Sequence, residues 1–232
     1  MKKDKDRFSF YIQTKSDLKK AIRKFGFVPL FSNSIPGFSI EEHVSPDAWY
    51  SAADDEWKVW EWKGPVIRET GCAYGKFLEN KAVFISSEWF PDFANYRRDG
   101  YDFDARFDDG LASFRDRDLY ELISASAPAL SKELKADGNY GKNGKKGFDT
   151  IITHLQAQCY VITDDFVYAT DKNGKRYGWG IAEYTTPELF FGDAFRNAVY
   201  QRTPEESCER VMAHLKKILP DADEKALRRI LK

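Results

Sequence analysis

Between Asp118 and Tyr184 the chain reads as three helical stretches followed by two β-rich runs, and few folds accommodate that order in so short a span. Asp118 opens LYELISASAP, which Pro128 stops. ALSKELKADG follows, with Leu130, Leu134 and either Ala127 or Ala136 turned inward, and ends at Gly138. The third helix is predicted from Phe148 to Cys159. YVITDDFVYATDKNGKRYGWGIAEY then gives two strands around Asp171-Lys172-Asn173-Gly174, and Asn-Gly is the strongest short hairpin signal a sequence carries. Helix, helix, helix, hairpin is the order of a winged helix, whose third helix is presented to DNA and whose hairpin is the wing.

A helical projection of the third helix tests whether it has a reading face. At 100° per residue Phe148, Ile151, Ile152, Leu155 and Cys159 gather into a core stripe, with Thr150, Thr153, His154 and Ala157 opposite. Small hydrogen-bonding side chains on an exposed face suit entry into a major groove. Residues 138–147 hold three lysines and no acid, with Lys145 and Lys146 at the helix entry. The hairpin tip adds Lys172, Lys175 and Arg176 against Asp171. The bland alternative remains beside this one, because lysines flanking glycines describe any exposed turn. His154 has no second His or Cys at metal spacing, so no metal site is expected.

Outside this block, SDLKKAIRKFG (residues 16–26) predicts a short amphipathic helix capped by Ser16 or Asp17 and stopped at Gly26. Cys72–Leu78 and Ala82–Ser86 predict a hairpin turning at Glu79-Asn80-Lys81. Residues 89–118, with eight Asp and five Arg among aromatics, read as a polar, partly irregular connection. Thr186, Thr203 and Asp223 each open a later helix, the first two with Pro following the cap.

Composition limits the partners. Thirty-six Lys and Arg against 37 Asp and Glu give a net charge of −1, so no global field draws the chain to nucleic acid and any such surface must be a local patch. Cys72, Cys159 and Cys208 are odd in number and far apart, which fits reduced thiols in a cytoplasmic protein rather than a disulfide framework or zinc site. No apolar stretch is long enough to span a membrane or serve as a signal core. Walker, dinucleotide and Gly-x-Ser-x-Gly fingerprints are missing too, and no cofactor is expected.

WEWKGPVIRETGCAYGKFLENKAVFISSEWFPDFANYRRDGYDFD and KGFDTIITHLQAQCYVITDDFVYATDKNGKRYGWGIAEYTTPE resemble the AlkZ-related family of bacterial proteins, over roughly residues 16–230. That family is similar to winged-helix DNA glycosylases of the AlkZ and YcaQ type, which remove alkylated or crosslinked bases. The resemblance implies tandem winged helices and a DNA-binding ancestry. Those glycosylases share a Gln-x-Gln or Gln-x-Asp motif that positions the attacking water, and Gln156-Ala157-Gln158 matches its letters. It departs in place: the family's motif lies in the first winged helix, and this one ends a helix two-thirds along. On the projection Gln156 and Gln158 fall about 160° apart, so they converge only if the helix ends between them. Otherwise they are boundary residues flanking Leu155 and Cys159.

Excision also needs a pocket for a flipped base, for which Asp102, Asp104, Asp108 and Asp109 offer carboxylates and Trp57, Trp60, Trp62 and Trp89 offer stacking surface. Acids in a solvated loop and tryptophans in a core are the plainer reading. The expectation is an α+β chain with tandem winged-helix-like units packed as one body. Residues 1–115 form an N-terminal α+β region, 116–186 a winged-helix unit, and 187–232 C-terminal helices packed on the body. Three functions stay open: double-stranded DNA binding, with glycosylase activity through Gln156 and Gln158; a non-catalytic protein-interaction module; and a small-molecule enzyme with an aromatic pocket.

Overall fold

The computed structural model describes residues 7–9, 11–45, 48–49, 58–174 and 176–232. Two of the residues singled out above, Trp57 and Lys175, lie outside the described residues.

Helix α1 (Lys15–Phe25) buries Leu18, Ala21, Ile22 and Phe25. Its cap is Thr14 rather than Ser16 or Asp17. Thr14 Oγ1 accepts from the Asp17 N–H at 3.2 Å, and the Asp17 carboxylate accepts from the Thr14 N–H at 3.1 Å. Strand β1 (Phe27–Pro29) follows, then a 3₁₀ turn at Glu41–His43 and helix α2 (Val59–Thr70), which carries Pro65 inside it. Strands β2 (Ala73–Leu78) and β3 (Lys81–Ile85) form the expected hairpin. Glu79 and Asn80 both take positive φ at its turn, 49° and 57°. β1 pairs antiparallel with β3, giving the order β1-β3-β2.

The polar stretch 89–118, read as a partly irregular connection, holds more regular structure than its composition suggests. It contains α3 (Phe90–Arg98) and α4 (Phe103–Asp108), and the start of α5 (Phe114–Ser126). Some of its charges are employed in the fold, while Asp104, Asp108 and Asp109 stay exposed. Asp92 and Arg98 are buried, Asp99 closes α3 at φ 54°, and Asp102 caps α4 by accepting from the Ala105 N–H at 2.8 Å. α5 begins earlier than Asp118 predicts, because Ser113 and Asp116 form the capping box.

Next come β4 (Ala129–Leu130), α6 (Ser131–Asp137), α7 (Phe148–Ala157), and the long hairpin of β5 (Ile162–Thr170) and β6 (Arg176–Thr185). The second sheet has the order β4-β6-β5, again antiparallel, with the first short strand paired to the last strand of the hairpin. Helices α8 (Pro187–Phe190), α9 (Asp193–Ala198), α10 (Pro204–Ile218) and α11 (Glu224–Ile230) complete the chain, with Thr186, Thr203 and Asp223 at the expected caps. The fold is therefore α+β, built from helices and two small antiparallel sheets.

Two apolar clusters organise these elements. The larger draws on both ends of the chain: Phe25, Phe27, Val66 and Phe84 from the first half pack with Phe195, Leu215 and Leu227 from the last helices. The smaller joins Phe103, Leu119, Leu134, Phe148, Ile152, Leu155 and Tyr160. α10 docks on α3 through a buried carboxylate: Asp92 Oδ1 meets Arg202 Nη1 and Ser207 Oγ, both at 3.2 Å, and Oδ2 meets Arg210 Nε at 2.9 Å. The two halves meet where α2 and β2 pack on β5 and where α7 packs on β2.

Candidate nucleic-acid interface

α7 carries the apolar stripe that its sequence predicts. Phe148, Ile151, Ile152 and Leu155 are buried, as is Cys159 just beyond the helix. Its opposite face is only partly open. Thr150 and His154 are exposed, but Thr153 is half-buried, donating from Oγ1 to the Asp149 carbonyl at 2.7 Å and accepting from Lys76 Nζ of β2 at 3.2 Å. Ala157, directly opposite the stripe, is 9% exposed, and its carbonyl accepts from Arg97 Nε of α3 at 2.7 Å. β2 and α3 thus cover the second half of the helix and leave its entry facing solvent.

At that entry Lys145 and Lys146 are both exposed. Lys145 pairs with Asp118 of α5 at 3.1 Å, and Lys135 pairs with Asp149 in the first turn of α7 at 3.2 Å. The count of lysines without acids in 138–147 is correct locally, yet the fold brings a carboxylate from another helix against it. His154 Nδ1 lies 3.1 Å from Asp116 Oδ1. Burial pushes the Asp116 carboxyl up, but the hydrogen bonds from His154 and Ser113 outweigh it and hold the group below its ordinary value. Lys172 and Arg176 are exposed at the far end of the hairpin. The nine residues of β5 run from near the C-terminus of α7 out to that tip, roughly 30 Å of extended chain. The predicted basic residues lie on two elements, the entry to α7 and the hairpin tip, and are exposed on both.

Gln156 and Gln158 are not brought together. The helix does end between them, at Ala157, but Gln156 is 2% exposed and set into the joint between the halves. Its Oε1 accepts from the Lys76 N–H at 3.3 Å and its Nε2 donates to Thr163 Oγ1 at 3.1 Å. Gln158 lies on the outer side, with Nε2 3.0 Å from His154 Nε2. Of the other candidates, Asp102 is the α4 cap, Trp62 is 7% exposed in the larger core, and Trp89 stacks on His214 with centroids 4.0 Å apart.

Sequence reading missed three features. Tyr177 and Trp179, two residues apart on β6, are 59% and 69% exposed, and the Trp179 ring meets Trp60 edge-on at 5.9 Å. Gly178 between them takes φ 74° where the hairpin register shifts, so strand alternation does not fix the two rings on one face. Arg98 is fully buried; its Nη1 donates to Glu188 Oε1 at 2.6 Å and to Tyr200 Oη at 3.0 Å, and its Nη2 donates to the Cys159 carbonyl at 2.8 Å. Lys63 of α2 is 3% exposed, against the rings of Trp60 and Phe166. Neither burial has a local sequence signature.

Among the described residues no group of three or more His, Cys, Asp or Glu is placed to hold a metal ion, and no helix is long and apolar enough to cross a membrane. What the geometry defines is an α+β chain with two three-stranded sheets of matching order, each hairpin preceded by a helix. The chain belongs to the AlkZ-related family, whose pattern it matches over residues 12–232. Neither a curated protein nor a solved structure matches it.

Proposed function

We propose that this is a double-stranded DNA-binding protein built on two winged-helix-like units. One observation carries the reading: the order of elements repeats. α5, β4, α6, α7, β5 and β6 follow the winged-helix sequence, with β4 closing the sheet against β6. α1, β1, α2, β2 and β3 follow the same order with one α-helix fewer, a 3₁₀ turn at Glu41–His43 standing between β1 and α2, and with β1 closing against β3. Membership of a family described as AlkZ-related supports the same direction. In this reading the entry to α7 (Lys145, Lys146, Thr150, His154) and the hairpin tip (Lys172, Arg176) contact phosphates, and the exposed Tyr177 and Trp179 offer faces for unstacked bases. Base excision by Gln156 and Gln158 acting as a pair would require a rearrangement that frees Gln156 from Lys76 and Thr163.

Fluorescence anisotropy against a short duplex, unmodified or carrying an abasic-site analogue, at two salt concentrations tests the proposal. Neutralising Lys145, Lys146, Lys172 and Arg176 together should weaken binding and flatten the salt slope by up to about 3–4, since each lost phosphate contact removes about 0.9. Unchanged affinity in that variant would sink the idea. Tighter binding to the abasic duplex would add damage recognition to it. A second reading, a protein-interaction module, draws on Leu111 and Phe114, 50% and 70% exposed and three positions apart in sequence. It predicts no salt-dependent DNA affinity at all.

A further inference from the structure

Where the turn after β3 meets the corner between α8 and α9, the surface opens into a cavity of about 180 Å³. Its lining is mostly aromatic. Phe90 of α3, Phe191 at the end of α8 and Phe195 of α9 stand with ring centroids 5.6–5.9 Å apart and planes inclined by only 28–33°. Ala194 and Ala198, one turn apart on α9, line it too, and a larger side chain at either would fill the space. An apolar hollow left open forfeits the contacts that packed atoms would make, so keeping it costs stability. A cavity of about 150 Å³ with a lining of this kind takes up benzene. This one therefore holds a single ring with a short chain, and is smaller than the pockets that enclose drug-sized molecules.

The polar part of the lining is Ser87 and Glu88, both exposed at the rim. Among the described residues no hydrogen bond or ion pair holds the Glu88 carboxylate. The arginines of α9 and α10 closest in the fold are already answered: Arg196 pairs with Asp193 at 3.1 Å and Arg210 with Asp92 at 2.9 Å. His214 feels the Glu88 charge, but burial holds its imidazole below the ordinary value, and its Nε2 donates to the Phe25 carbonyl at 2.8 Å. An anion finds little at the start of α3. The Trp89 and Phe90 N–H groups both donate to the Ser86 carbonyl, at 3.1 and 3.0 Å, and Pro91 has no N–H.

We propose that this cavity binds a small organic cation, an aromatic ring on a short aliphatic chain, seated against Phe90, Phe191 and Phe195 with its ammonium at the Glu88 carboxylate. The ring buries apolar area against the three phenyl groups and Pro91. The ammonium donates to Glu88 at the rim, where it keeps part of its water and pays little desolvation. Neither the entry to α7 nor the hairpin tip takes part, so the site stands apart from the DNA reading.

Phenethylammonium is the probe, with 2-phenylethanol as its neutral counterpart and phenylacetate as its anionic one. Each is titrated onto the intact protein at neutral pH and low salt, followed by saturation-transfer difference NMR. The cation should bind with a dissociation constant on the order of a millimolar, roughly three- to tenfold tighter than the alcohol, and phenylacetate should bind more weakly than either. Glu88→Gln should bring phenethylammonium to the level of the alcohol and leave the alcohol unchanged, which separates the carboxylate from the cavity. Ala194→Leu fills the hollow and should abolish binding of both, with the circular-dichroism spectrum of the parent retained. Ala198→Leu makes the same test from the next turn, so the result does not hang on one variant folding. Phenethylammonium that fails to bind below about 10 mM, binds no tighter than phenylacetate, or binds unchanged in both leucine variants overturns the proposal, whatever the DNA affinity proves to be.

Discussion

Lys63 fixes the sign of one pH dependence. Its ammonium sits at about 7 in the folded chain against 10.5 for a free lysine, so between those values the unfolded chain holds a proton that the folded one lacks. Stability tied to this group is therefore complete above the upper value, declines as pH falls through the window, and is fully lost below about 7. Lys63→Met removes the linkage. It should raise the melting temperature at neutral pH, by a stabilisation on the order of 1–3 kcal/mol, and flatten the stability curve across the window. Thermal melts from pH 7 to 10 check this, and a destabilised Lys63→Met would mean that the ring contacts outweigh desolvation. Gln156 predicts the opposite behaviour. Gln156→Ala strands the Thr163 hydroxyl and the Lys76 N–H in the joint and should cost about 1–3 kcal/mol in urea denaturation. Gln158→Ala, at the surface, should stay within about 0.5 kcal/mol.

At the scale of elements, the docking of α10 on α3 is the most exposed to a single change. Asp92 is 6% exposed and answers Arg202 and Arg210 at once. Asp92→Ala leaves both cations and Ser207 facing an apolar side chain, and should cost about 3–5 kcal/mol by urea denaturation; a loss under about 1 would mean the arginines turn to solvent. This pairing also shows what the sequence could and could not disclose. The hairpins were legible because Glu79-Asn80 and Asn173-Gly174 are local turn chemistry, and the buried stripe of α7 because a 3.6-residue period is local as well. α3 and α4 were not, since Asp92, Arg98 and Asp102 look like solvated acids and bases until their partners are known. Those of Asp92 lie more than a hundred positions away. The surroundings of the candidate interface were hidden in the same way. Its lysines were found, but not Asp118 set against Lys145, nor β2 laid over Thr153 and Gln156 from about eighty residues upstream.

For the whole molecule the controlling feature is the joint between the halves. A net charge of −1 provides no long-range attraction, so on the DNA reading the basic residues of the α7 entry and of the hairpin tip engage one duplex together only if the hairpin is held at a fixed angle. α2 is what holds it. Gly64 lets the helix backbone approach β5 so closely that a Cβ there would run into Oδ1 of Asp165 and come within 3.3 Å of the Phe166 nitrogen, and Arg68 ties the same Asp165 one turn on. Gly64→Leu should therefore push the hairpin off α2 without touching either basic group. Three changes are expected together. The near-ultraviolet circular dichroism of the Trp60–Trp179 pair should diminish, and a single calorimetric transition should divide, because the larger and smaller clusters then unfold apart. Duplex affinity should drop with its salt slope reduced, since only one basic group at a time can reach the phosphates. Loss of the joint with affinity and slope unchanged would place the entire DNA contact on one group, and the quadruple neutralisation, divided into Lys145 with Lys146 and Lys172 with Arg176, would show which one carries it.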